Sequence, residues 1–190
     1  AMAVRLGADA PVDSVVFCSG LAITSTVADH DWAAYRRLMS VNLDGAFHVG
    51  QSFVRPMHKA GKPGSFVFIG SVAGLRGEAA AAAYCASKAG LHSFVDAFAA
   101  ENTRHGIRAN SVAPGSVDSD MIRQVAQQIA DERGASYDEI FEEVSHKGAA
   151  TRLVTPEEVA NACLWLASPL SSGVTGTTIK VDVGQLLDRS

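Results

Sequence analysis

The sequence predicts an α/β protein built on an open parallel sheet with helices on both faces. Three observations lead there. Four short runs of apolar and β-branched residues are spread along the chain, each bounded by Gly, Pro or Ser. The stretches between them are long enough for crossover helices, which predicts right-handed strand–helix–strand connections. The runs are continuously hydrophobic rather than alternating, as strands covered on both faces are.

In chain order, the first strand is expected in VDSVVFCS, residues 12–19. A helical stretch follows over roughly 29–60, with Trp32, Tyr35, Leu38 and Met39 at helical spacing. Asn42 interrupts its apolar pattern; asparagine is a poor mid-helix residue and is expected at a kink or on a bound water. The second strand is SFVFIGS, 65–71. The alanine-rich segment EAAAAAYCASKAGLHSFVDAFAAENTRHG, 78–106, has strong helix propensity and Gly106 as its stop. IRANSVAP, 107–114, is the third strand.

Residues 116–152 break the rhythm as two amphipathic helices with no strand between them. Met121, Ile122, Val125 and Ile129 stripe the first, and Tyr137, Ile140, Phe141 and Val144 the second. Insertions after the carboxyl end of a strand sit where open α/β sheets bind ligands, so a lid over a pocket is expected, within one domain spanning 1–190. TPEEVANACLWLAS opens the closing helix: Thr155 is the cap, Pro156 the first position and Glu158 the partner that completes a capping box. TTIKVDV, 177–183, is the last strand.

Composition narrows the function classes. Hydrophobic residues make up 47% and charged residues 19%, as in ordinary globular proteins. A net charge of -4 offers no electrostatic attraction to nucleic acid or an anionic membrane. No apolar stretch is long enough to span a bilayer, and the N-terminus lacks the apolar core of a signal peptide, so a cytoplasmic protein is expected. Cys18, Cys85 and Cys163 form no CxxC motif and are expected as buried free thiols. The six histidines show no HxxxH or HExxH spacing, so no metal site is expected.

The chemistry concentrates in YCASKAG, 84–90, where Tyr84 and Lys88 stand four apart and share a helix face. A free phenol has a pKa of about 10, and a nearby ammonium favours its phenolate, which would bring proton transfer within reach. Ser71 closes the second strand at the carboxyl edge of the sheet. A loop and one helical turn suffice to return Tyr84 to that edge, where the serine hydroxyl would hold a substrate oxygen. Pro114-Gly115 ends the third strand, Gly115 allowing close approach of a flat ligand and Val117 following with free backbone groups.

Ser71, the YCASK segment, Asn42 in VNLDGAF, and APGSVDS together resemble the short-chain dehydrogenase/reductase family. TPEEVANACLWLAS and TGTTIKVDVG resemble that family's closing helix and last strand, so the likeness runs from about 12 to 184. It implies a Rossmann-like fold and an NAD(P)-dependent oxidoreductase interconverting a secondary alcohol and a ketone. By that resemblance Tyr84 is the general acid/base, Ser71 orients the substrate carbonyl, and Lys88 lowers the phenol pKa and holds the nicotinamide ribose. Asn42 would anchor a water linking Lys88 to solvent. Gly20, Pro114, Gly115, Val117 and Ser119 would lie along NAD or NADP. The partners implied are a small-molecule carbonyl or alcohol and further copies of the chain, as a homodimer or homotetramer joined through helices at 79–104 and 156–167.

The pattern also departs from the family's. No strand, TGxxxGxG loop and helix precede VDSVVFCSG, so the N-terminal strands of the family fold are expected to be missing. CSG at 18–20 replaces the usual NAG, and GSVAGLRG, 70–77, has the wrong glycine spacing for a dinucleotide fingerprint. Two expectations follow. One is a catalytically weak or silent remnant acting as a binding or assembly module. The other is an unpaired edge on the first strand, covered by another chain, by the N-terminal residues or by a rearranged dimer.

Overall fold

The computed structural model describes residues 12–187. Four strands, β1 (Ser14–Phe17), β2 (Gly64–Ile69), β3 (Ile107–Pro114) and β4 (Thr178–Val181), form one sheet in the order β1-β2-β3-β4. Every neighbouring pair is parallel. Six α-helices connect them: α1 (Trp32–Met39), α2 (Gly45–Ala60), α3 (Ala82–Asn102), α4 (Asp120–Arg133), α5 (Tyr137–Ser145) and α6 (Pro156–Ala167). This is the expected α/β class with an open parallel sheet.

Side chains alternate across the sheet, and each face meets its own helices. Phe66, Phe68, Val15, Phe17 and Ile107 pack under α2 and α3, against Met57, Leu91, Val95 and Phe98. Val67 and Val112 point the other way, onto Cys163 and Leu166 of α6. Phe66, Val67 and Phe68 are fully buried, and each such side chain stabilises the fold by about 2–3 kcal/mol. Coverage on both faces holds for β2 and β3 but not for the outer strands. On β1 burial alternates, and Val16 stays 43% exposed because α6 reaches only part of that face.

The crossovers do not all share one hand, contrary to expectation. The sheet is built in one direction, yet α2 and α3 cover one face and α6 the other. The connection from β3 to β4 therefore has the opposite hand to the first two. The long excursion through α4 and α5 relaxes the close packing that normally imposes a single hand.

Element boundaries follow local chemistry. The first helix starts at Trp32 rather than near 29 because Asp31 caps it, its carboxylate accepting from the Ala34 N–H at 2.8 Å. The helix then passes through a π turn, Ser40–Asp44, before continuing as α2. The alanine run from Glu78 does not begin α3: Ala80 is left-handed at φ 54, and its carbonyl accepts from Ser25 N–H at 2.7 Å. Tertiary contact overrides propensity there. The capping box on α6 forms as expected, with Glu158 N–H donating to Thr155 Oγ1 at 3.2 Å and Thr155 N–H to Glu158 Oε2 at 2.9 Å.

The insertion between β3 and α6 is pinned at its base. Asp118 N–H donates to Val154 O, and Val154 N–H to Ser116 O, both at 2.8 Å. Its small core is Ala126, Ala130, Ile140 and Val144, with Ile129, Tyr137 and Phe141 against it. Ala126 and Ala130 are the fully buried residues of α4, and Ile122 and Ile129 of the expected stripe pack against them. Met121 and Val125 turn instead towards the cavity described below. Of the cysteines, Cys163 is buried and Cys85 half-buried, but Cys18 is exposed, because it follows the last residue of β1 on the poorly covered face. Among the described residues, no helix is long and apolar enough to cross a membrane.

Candidate active site

A cavity of about 370 Å³ opens at the carboxyl ends of the strands. Ser71, Tyr84 and Lys88 line it, as do Gly20, Pro114, Gly115, Val117 and Ser119. The geometry thus gathers around one space residues that lie far apart in the chain. Asn42 does not line the cavity; it stands behind it with no exposed surface.

Ser71 follows β2 in extended conformation and caps a 3₁₀ turn, Val72–Gly74, its Oγ accepting from Ala73 N–H at 3.1 Å. The turn and the loop to Ala81 return the chain so that Tyr84, in the first turn of α3, faces Ser71. Burial pushes the Tyr84 phenol above its ordinary pKa; a hydrogen bond from the Ser71 side chain pulls it back, and Glu78 and Cys85 add to the rise. The expected lowering by Lys88 is not what dominates here. Lys88 is itself only 3% exposed, and burial lowers its amine from 10.5 to about 8. Its Nζ donates to Ile69 O at 2.9 Å and stands 5.8 Å from the centre of the Tyr84 ring. At neutral pH the site holds a protonated phenol beside an amine that is easily discharged.

Asn42 occupies the π turn, where the extra backbone residue turns its amide inward. Oδ1 accepts from Leu21 N–H at 2.8 Å, while Nδ2 donates to Leu21 O and Ser87 Oγ, both at 3.0 Å. Ser87 Oγ in turn donates to Tyr84 O at 2.8 Å. Asn42 therefore clamps the loop after β1 to the N-terminal part of α3. The kink expected from its sequence position is present as that π turn.

Gly115 is needed for space, whereas Gly20 is not. A Cβ at Gly20 would stand 3.4 Å from Lys88 Nζ and 3.6 Å from Asn42 Oδ1; one at Gly115 would stand 2.6 Å from Gln185 Oε1. Val117 bridges to Val154 through its neighbours, leaving its carbonyl to accept from Ser119 Oγ at 3.2 Å.

Sequence reasoning missed three features of this site. Gln185, nearly buried, accepts from Ser116 N–H at 2.7 Å and so fixes the turn after β3. Glu78 and Lys147 meet at 2.8 Å across the cavity wall. His92 lies beneath Ser71. Only His92 carried a signal in the sequence, standing one further four-residue step beyond Tyr84 and Lys88.

A family model described as enoyl-(acyl carrier protein) reductase matches residues 6–185. The chain is 35% identical over 186 residues to galactitol 2-dehydrogenase (L-tagatose-forming) of Cereibacter sphaeroides, covering 97% of this chain and 69% of that protein. It is 33% identical to a 3-oxoacyl-[acyl-carrier-protein] reductase of Chlamydia muridarum, covering 91% of this chain and 65% of that protein. The chain therefore spans about two thirds of the length of these relatives. Among solved structures, sorbitol-6-phosphate 2-dehydrogenase of Erwinia amylovora superposes with a TM-score of 0.90 at 25% identity, over 97% of this chain and 73% of that one. An actinorhodin polyketide ketoreductase with NADPH superposes with a TM-score of 0.89 at 30% identity, over 96% and 72%. With this fold and a match over nearly its whole length, the chain belongs to the short-chain dehydrogenase/reductase family.

Proposed function

We propose that the chain carries an NAD(P)-dependent oxidoreductase site interconverting a secondary alcohol and a ketone, with Ser71, Tyr84 and Lys88 as its working groups. One observation carries this reading: Ser71, Tyr84 and Lys88 line one cavity, with the serine near enough to the phenol to oppose the rise that burial causes. The residues present fit the nicotinamide end of a dinucleotide. Lys88 lines the cavity beside Gly20, where its amine would meet ribose hydroxyls, and Pro114 and Gly115 line the same space. Val117 and Ser119 line the same cavity and would meet the carboxamide. A bound nicotinamide supplies or accepts the hydride.

The chain's own residues then handle the proton. A phenol raised by burial is protonated at neutral pH, so Tyr84 donates to a ketone oxygen as the alcohol forms. Ser71 hydrogen-bonds that oxygen and afterwards the phenolate, whose charge the Lys88 amine offsets. In the oxidising direction the phenolate takes the alcohol proton back. The substrate is a small molecule, and the largely apolar wall of Ile23, Val72, Met121, Ile122 and Val125 favours a neutral one. The insertion over 116–152 serves as a lid on a single domain, and the protein works in the cytoplasm as a homodimer or homotetramer. The convergence of Ser71, Tyr84, Lys88 and the Asn42 clamp supports an enzyme over a silent assembly module.

The test is fluorescence titration with NADH and NADPH, followed by ketone reduction with ethyl acetoacetate as the first probe. Tyr84→Phe is expected to lower kcat about 10²–10⁴-fold while leaving cofactor Kd within about threefold. Absence of saturable binding at millimolar cofactor, or full turnover by the phenylalanine variant, overturns the reading.

A further inference from the structure

Behind Ser71, on the side away from the cavity, lies a buried polar group with no part in the proton transfer just described. His92 follows Lys88 by four residues as Lys88 follows Tyr84, so all three project along one stripe of α3. Its ring is 7% exposed and fills the space between two glycines. A Cβ at Gly74 would stand 2.7 Å from His92 Cδ2, and one at Gly70 would overlap Cε1.

The hydrogen bonds fix the state of that ring. Nε2 stands 3.0 Å from Ser71 O, a carbonyl that can only accept, so Nε2 carries the hydrogen. Nδ1 then accepts, from Ser111 Oγ at 2.9 Å or Thr178 Oγ1 at 3.3 Å, two hydroxyls that share a 2.6 Å bond. Burial and the charge of Lys88 favour the neutral ring, against the Ser71 carbonyl and Asp96. The result is a continuous chain from the Ser71 backbone through the imidazole to β3 and β4.

We propose that His92 is a positioning residue, tying the Ser71 backbone to the sheet so that the Ser71 hydroxyl stays aimed at Tyr84. Ser71 follows β2 on a turn flanked by two glycines, which by themselves leave the backbone free to rotate. Its Oγ already accepts from Ala73 N–H, so the orientation of the residue decides whether its hydrogen reaches the phenol. A displacement of about 1 Å at such a contact is enough to cost up to about 10²-fold in rate. The assignment rests on the alcohol–ketone reading for its catalytic consequence, but not for its geometry.

His92→Leu and His92→Gln test it, because glutamine can donate to Ser71 O and accept from Ser111 while leucine can do neither. With NADPH and ethyl acetoacetate, His92→Leu is expected to lower kcat about 10–100-fold at unchanged KM and cofactor Kd, with His92→Gln recovering to within about threefold. Ultraviolet titration of Tyr84, isolated by difference from Tyr84→Phe, is expected to show the phenol midpoint rising in the leucine variant and staying in place in the glutamine variant. Long-range proton–nitrogen NMR on the unmutated chain is expected to show His92 neutral with hydrogen on Nε2. Hydrogen on Nδ1 instead, or a glutamine variant as impaired as the leucine one, overturns the assignment. So does a folded leucine variant with unchanged phenol midpoint. Absence of turnover in the unmutated chain overturns the alcohol–ketone reading alone, and the tautomer and phenol midpoint still decide the role of His92.

Discussion

Lys88 shows how a site residue is held in a costly state. Its pKa of about 8, against 10.5 for an exposed lysine, means that the folded protein binds its proton less readily than the unfolded chain does. Below pH 8 the amine is charged in both states, and the fold bears the full desolvation penalty. Between about 8 and 10.5 the unfolded chain holds the extra proton, so stability rises with pH across that window. Relative to Lys88→Met, the native chain should gain about 2 kcal/mol between pH 7 and 9.5, read from urea unfolding midpoints. Parallel pH dependences of the two proteins would show that the amine is not buried as described. Tyr84, Lys88 and Ser71 were legible in the sequence because helical periodicity and a strand end place them without knowledge of distant partners. The partners of His92 and Gln185 were not: they come from β3, β4 and the turn after β3, joined only by tertiary structure.

At the scale of elements, the Glu78–Lys147 pair links the loop before α3 to the segment after α5, across the cavity wall. Both side chains are about one third exposed, so its contribution to global stability is under about 1 kcal/mol. Its effect is local. Lys147→Ala is expected to raise amide exchange in α4 and α5 several-fold with little change in Tm, and the Glu78→Lys/Lys147→Glu double variant to restore protection. Unchanged exchange in Lys147→Ala would remove the pair as a tie on the insertion. Elements governed by their own sequence were read correctly, among them the α6 capping box and the full length of β3. A misreading fell where a remote contact decides, at the start of α3, where Ser25 holds the Ala80 carbonyl.

For the whole molecule, the described residues leave β1 paired on one side only, with β2. Such an edge, with Val16 43% exposed beside it, favours pairing with another chain. Solution size by light scattering is expected to exceed a monomer, and Val16→Lys to weaken the association about tenfold or more. A native chain that stays monomeric at high micromolar concentration would leave the edge without a partner. The parallel sheet was legible from four apolar runs; the reversed hand of its last connection was not, since no local pattern records the face a helix returns to. That reversal has a consequence during synthesis. The helices that shield Phe66 and Phe68 leave the ribosome close to the strands they cover, but Val67 and Val112 must wait for Cys163 and Leu166, some fifty or more residues after β3 begins. For that interval a growing chain presents one finished layer and one wet, adhesive one, which makes the C-terminal third the step at which a chaperone would let go.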